Sequence, residues 1–145
     1  MLKMLLTGIA ALLLATGTAH AEHAARIPSK MLGKWCAALK SEDTHGTWVY
    51  KRVNNWKDVA DSSCSRLMLY QKKYWGQDGN SGPSSDCRII GSITLLKTKE
   101  NIFAKPNSGF QARYRCKFDG FSLIEYMIMH LDKDRQLITH SVEIK

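Results

Sequence analysis

After the first two dozen residues, hydrophobic and polar positions alternate mostly with period two, and turn-forming residues punctuate the runs. That pattern predicts a β protein. Residues 34–39 read as a first strand, 47–53 (TWVYKRV) as a second and 66–74 (RLMLYQKKY) as a third. Residues 87–97 (CRIIGSITLLK) read as a fourth, with Gly91 marking a bulge or bend. A short fifth element covers 102–104. The strand at 110–118 alternates best, and 121–131 pairs with 136–144 as a terminal hairpin. Pro28 opens one helical turn near the start of this region. Residues 54–63 form a polar loop or short helix holding Trp56 and Val59. Loops and turns are expected at 42–46, at 76–85 (GQDGNSGPSS), at 106–109 and at Asp119-Gly120, where Gly, Pro, Asn, Asp and Ser concentrate.

About eight short strands with little helix predict an all-β fold: a small antiparallel barrel, up-and-down, or a compact sandwich. Closure removes the exposed edges that such strands would otherwise present. No internal repeat, low-complexity stretch or linker divides the chain, so residues 22–145 are expected to form a single β-barrel-like domain.

The opening segment carries different information. Lys3 precedes an apolar run over 5–15, and Ala19-His20-Ala21 places small residues where signal peptidase reads. Residues 1–21 are therefore expected to be a signal peptide cleaved after Ala21. The run is too short for a membrane span of roughly 20 residues. No cysteine follows the cleavage point until Cys36, so a lipid anchor is not expected. The expected destination is the periplasm or the exterior, with no membrane span after cleavage and a monomeric product.

Export changes the reading of the four cysteines. In an oxidising compartment Cys36, Cys64, Cys87 and Cys116 are expected to form two disulfides, stabilising by roughly 3 kcal/mol each. Their gaps of 28, 23 and 29 residues contain no short pair of the zinc-knuckle kind, so no metal is expected. Cys64–Cys87 closes the shortest segment, which leaves Cys36–Cys116. That second bridge is awkward, because Cys36 should point away from the side that Trp35 takes, whereas Cys116 shares the apolar face of its strand.

The chain has a net charge of +8, or +7 once Lys3 is removed. Strand alternation puts Ala112, Tyr114, Cys116 and Phe118 on one face and Arg113, Arg115 and Lys117 on the other, about 6.6 Å apart. Those three cations suit an anionic envelope component such as a glycan or lipopolysaccharide, with Lys72, Lys73, Lys97 and Lys99 as possible extensions. They equally suit a plain solvated face. Nucleic acid is not an expected partner.

A two-residue turn at Lys133-Asp134 would pair residues whose numbers sum to 267. Leu123, Glu125, Met127, Met129 and Leu131 then face inward with His140, Ile138 and Val142. Glu125 and His140 become an inward pair that orients a ligand's polar end, or else a plain core ion pair. Trp75, beside the glycine-rich loop, is a candidate exposed anchor. No nucleophile elbow, His-Glu-x-x-His or phosphate loop occurs, so neither an enzyme nor a cofactor is expected.

Gly33-Lys34-Trp35 resembles the Gly-x-Trp that opens lipocalins and related calycin barrels. That resemblance implies a barrel closed at one end by Trp35, with a lumen holding an apolar or amphipathic ligand. The leader, Gly-Lys-Trp-Cys and the later cysteines also look like small exported bacterial proteins of uncharacterised function. Residues 108–114 (SGFQARY) are similar to the Ser-Gly-x-x-Tyr motif of periplasmic lysozyme inhibitors, with the tyrosine two positions late. Three functions follow as expectations: a ligand-binding barrel using Trp35, Glu125, Met127, Met129 and His140; a basic protein of the envelope; and an inhibitor of a secreted hydrolase, presenting residues 76–85 or 106–109. A lumen above about 300 Å³ would suit the first.

Overall fold

A computed structural model describes residues 25–37, 46–59, 64–79, 81–96 and 109–143. The strands are β1 (Gly33–Ala37), β2 (Thr47–Arg52), β3 (Ser65–Leu69), β4 (Lys73–Gln77), β5 (Ser84–Leu95), β6 (Gly109–Phe118), β7 (Phe121–Leu131) and β8 (Leu137–Glu143). They close into an antiparallel barrel in the order β1-β2-β8-β7-β6-β5-β4-β3. The barrel, not the sandwich, is the form adopted. From β3 to β8 the chain is an up-and-down meander. β1 lies between β2 and β3, so the link from β2 to β3 joins strands that are not neighbours. That link carries a 3-10 turn at Trp56–Asp58, capped by the Asn55 side chain, which accepts from the Lys57 amide at 3.2 Å. The Trp56 indole donates to the Trp35 carbonyl at 3.4 Å, pinning the crossover to β1.

Alternation decides what fills the barrel. Phe110, Ala112, Tyr114 and Cys116 are buried while Arg113, Arg115 and Lys117 are exposed, as period two requires. One end is plugged by Ile27, Met31, Trp35, Leu69, Phe110, Met129 and Leu137, which form part of one apolar cluster. Trp35 is 1% exposed and its indole donates to the Met31 carbonyl at 2.9 Å, so the 3-10 turn Ser29–Met31 is held over the barrel end. The Arg52 guanidinium stacks 4.3 Å from the Trp35 ring and donates to the carbonyls of Leu32 and Lys30. Gly33 has φ +121°, and a Cβ there would lie 3.0 Å from Arg52 Nη1. The glycine of Gly-Lys-Trp is thus needed twice, for its backbone and for the space that Arg52 fills.

Several expectations are corrected. The disulfides are Cys36–Cys64 and Cys87–Cys116, not Cys64–Cys87 and Cys36–Cys116. Trp35 does point inward, Cys36 therefore faces out, and it meets Cys64 just before β3. Cys87 and Cys116 are direct cross-strand partners inside the barrel, with Cα atoms 4.0 Å apart. The single strand expected at 66–74 is two, because the chain reverses at Gln71-Lys72, with the Tyr70 amide donating to the Lys73 carbonyl. The glycine-rich loop shrinks to 78–83, since β4 and β5 take its ends. Gly91, at φ +79°, sits in a register shift of β5 against β6, so the bulge is present. The leader (1–21), the fifth element (102–104) and the turn at 106–108 lie outside the described residues.

Trp35→Ala removes the plug, its hydrogen bond and the surface on which Arg52 stacks. The expected loss is about 3–5 kcal/mol of unfolding free energy, measured by urea titration.

Candidate functional site

The other half of the barrel is not filled. A cavity of about 220 Å³ lies there, lined by Trp48, Tyr50, Leu67, Tyr74, Phe118, Met127 and Met129 among apolar and aromatic residues, and by Ser65, Gln77, Asp78, Ser85, Glu125, Thr139 and Ser141 among polar ones. It falls short of the volume that suits a drug-sized molecule, so only a smaller guest fits.

Glu125, Met127 and Met129 reach this lumen together because they alternate along β7. The Tyr74 hydroxyl donates to Glu125 Oε2 at 3.1 Å and lies 3.4 Å from Cys116 Sγ. Burial first, and then the charge of Glu125, pushes the Tyr74 hydroxyl far above the usual tyrosine range, so it remains a donor. Tyr114 packs edge-on to Tyr74 at 4.8 Å, and burial raises its hydroxyl likewise. Tyr50 is raised by burial and then by the charge of Asp78, whose Oδ1 accepts from Ser65 at 3.0 Å. The acids of the lining are Glu125 and Asp78; its cation is Arg66, whose guanidinium lies 5.6 Å from the Trp56 ring. Ligand-type atoms of Cys87, Cys116 and Glu125 fall within 4.8 Å of one another, but both sulfurs belong to one disulfide, which offers no thiolate to a metal.

Two expected lumen residues are elsewhere. Trp35 belongs to the plug. His140 faces outward, because β7 and β8 pair with numbers summing to 268: Glu125 opposes Glu143, and Ile128 opposes His140. The cause is a three-residue turn in place of the expected two. Arg135 takes φ +60°, its amide donates to the Asp132 carbonyl at 3.1 Å, and the Asp132 side chain accepts from the amides of Asp134 and Gln136 at 2.8 Å each. One extra residue reverses every side chain of β8 relative to the expectation, so Thr139 and Ser141 are inside and Ile138, His140 and Val142 outside.

Outside, His140 shares a 2.7 Å hydrogen bond with Thr47 and stacks on His130 at 5.8 Å. Trp75 is not a free anchor; it packs against Trp56 at 5.5 Å. The inhibitor-like motif is not a loop where it is described, since Gly109 opens β6 and Tyr114 is completely buried. Tyr74 was missed by the sequence reading, which placed it at the end of a strand that in fact turns before it. Comparison of the chain with family models, with curated proteins and with solved structures finds no match.

His130 is 5% exposed, and its Nδ1 has no hydrogen-bond partner among the described residues. Burial, and then neighbouring His140, lowers its pKa, against an opposing pull from Asp132. Between that lowered value and about 6.5 the unfolded chain binds more protons here, so stability rises with pH across the window. Acidification from pH 7.5 to 5 should therefore destabilise the protein, and His130→Gln should lose less over the same interval in urea titrations at both pH values.

Proposed function

We propose that this chain is an extracytoplasmic binding protein whose lumen holds a small amphipathic molecule with a cationic or hydrogen-donating end. The observation that carries the reading is the contrast of charge. The protein as a whole is +8, yet the acids Glu125 and Asp78 line the cavity beside Met127, Met129, Phe118 and Trp48. A carboxylate can accept about four hydrogen bonds and Tyr74 supplies one to Glu125, so an ammonium or amide end has a place to bind. Thioether and aromatic side chains would take a short alkyl or aryl body. The role is one of holding, not of reaction.

Two disulfides fit an oxidising compartment, and among the described residues no helix is long and apolar enough to cross a membrane. The same reading takes residues 1–21 as a leader removed after Ala21 and 22–145 as one monomeric domain in the periplasm or outside the cell.

Calorimetric titration with hexylamine, hexanol and hexanoate tests it. Hexylamine should bind at least tenfold more tightly than hexanoate, and Glu125→Gln should remove that preference while Trp35→Phe leaves it intact. Equal or tighter binding of hexanoate would sink the reading.

A further inference from the structure

The outward residues of β7 are not those of an ordinary solvated strand. Ile124, Tyr126 and Ile128 face out while Leu123, Met127 and Met129 face in, so β7 is apolar on both sides. The registers place these outward side chains among cations. Lys73, Arg88, Arg115 and Ile124 are successive cross-strand partners over β4, β5, β6 and β7. Beside them run Ile90, Arg113, Tyr126 and Val142 over β5, β6, β7 and β8. Arg88, Arg113, Arg115 and Lys117 are exposed, and Val142 is 59% exposed.

Strands lie about 4.8 Å apart, so Lys73, Arg88 and Arg115 stand as immediate like-charged neighbours, an arrangement that disfavours the free wall. On the outward side of these registers, among the described residues, Asp86 is the acid, and it stands opposite Lys117. From this geometry we infer that the β4–β8 wall docks on the surface of an anionic phospholipid bilayer. Phosphate headgroups between the cations turn their repulsion into attraction, and Tyr126, Ile124 and Val142 enter the interfacial layer beside them. The mixture selects this occupant. A second copy of the chain would bring the same cations against each other. A soluble polyanion would use the cations and leave the apolar side chains idle. Spanning the bilayer would set Arg113 and Arg115 in hydrocarbon, so the wall lies on the surface and does not cross it.

This inference is independent of the lumen. Its test is co-sedimentation of the purified protein with vesicles of phosphatidylcholine alone, or of phosphatidylcholine carrying about one third phosphatidylglycerol, at low and high salt, with soluble heparin as comparison. Binding is expected on the acidic vesicles only, falling steeply with salt. Arg113→Gln with Arg115→Gln should weaken it roughly thirtyfold. Tyr126→Ser with Val142→Ser should weaken it roughly tenfold without altering heparin binding. Failure of the unaltered protein to bind acidic vesicles would overturn the inference whatever the variants do. So would vesicle binding that ignores salt, or heparin binding of equal strength with the serine pair silent on vesicles, which would identify a soluble-polyanion surface.

Discussion

Closure of the barrel rests on β1, a strand of five residues that pairs with β2 on one edge and β3 on the other. Among the described residues its seam with β2 has two register partners, Trp35 with Arg52 and Cys36 with Lys51. Side chains strengthen what the ladder leaves thin. Arg52 stacks on Trp35 and binds the carbonyls of Lys30 and Leu32, the Val53 amide donates to the Lys34 carbonyl, and Cys36–Cys64 ties β1 to the entry of β3. Without β1, the facing edges of β2 and β3 would be open to pairing with other chains. The Gly-Lys-Trp-Cys segment is therefore a structural clasp, and its tryptophan is committed to the plug and not to a ligand.

Closure also makes side-chain parity binding throughout. In a closed barrel each strand residue is inside or outside, and one fixed residue per strand settles its neighbours. That rule was legible in the sequence for β6, whose Arg113, Arg115 and Lys117 stand out as expected. Applied to the cysteines, it rules out one of the three pairings. An inward Trp35 makes Cys36 outward and forbids its union with the inward Cys116. In the barrel Cys87 is inward as well and lies opposite Cys116, which leaves Cys36 to Cys64.

Two features were not legible, for local reasons. The reversal at Gln71-Lys72 carries no glycine, proline or asparagine. It is held by tertiary contacts: the Gln71 side chain accepts from the Ile27 amide at 3.0 Å and donates to the Ile27 carbonyl at 2.7 Å. A turn stabilised by a segment some forty residues earlier leaves little turn chemistry in its own sequence, and so Tyr74 was hidden. At the β7–β8 turn, a non-glycine residue, Arg135, occupies the left-handed region, and Asp132 organises the loop through its side chain. Nothing in Asp-Lys-Asp-Arg distinguishes a two-residue turn from a three-residue one. Glu125, Met127 and Met129 survived the error because they lie on β7, before the turn, and His140 did not because it lies after it.

β7 joins the two surfaces. Its odd-numbered residues Glu125, Met127 and Met129 line the lumen, and its even-numbered residues Ile124, Tyr126 and Ile128 form the outer wall beside the cations of β6. One strand thus carries an acidic, apolar interior and an apolar exterior bordered by positive charge. Such a strand has no polar face to spare, which explains why its sequence, FSLIEYMIMHL, alternates poorly although its geometry alternates strictly. Because the two sets of side chains stand on opposite sides of one backbone, either surface can be altered by substitution at positions that do not line the other. Lumen and wall are therefore separable by mutation even though they share a strand, and a defect confined to one parity reports on one surface.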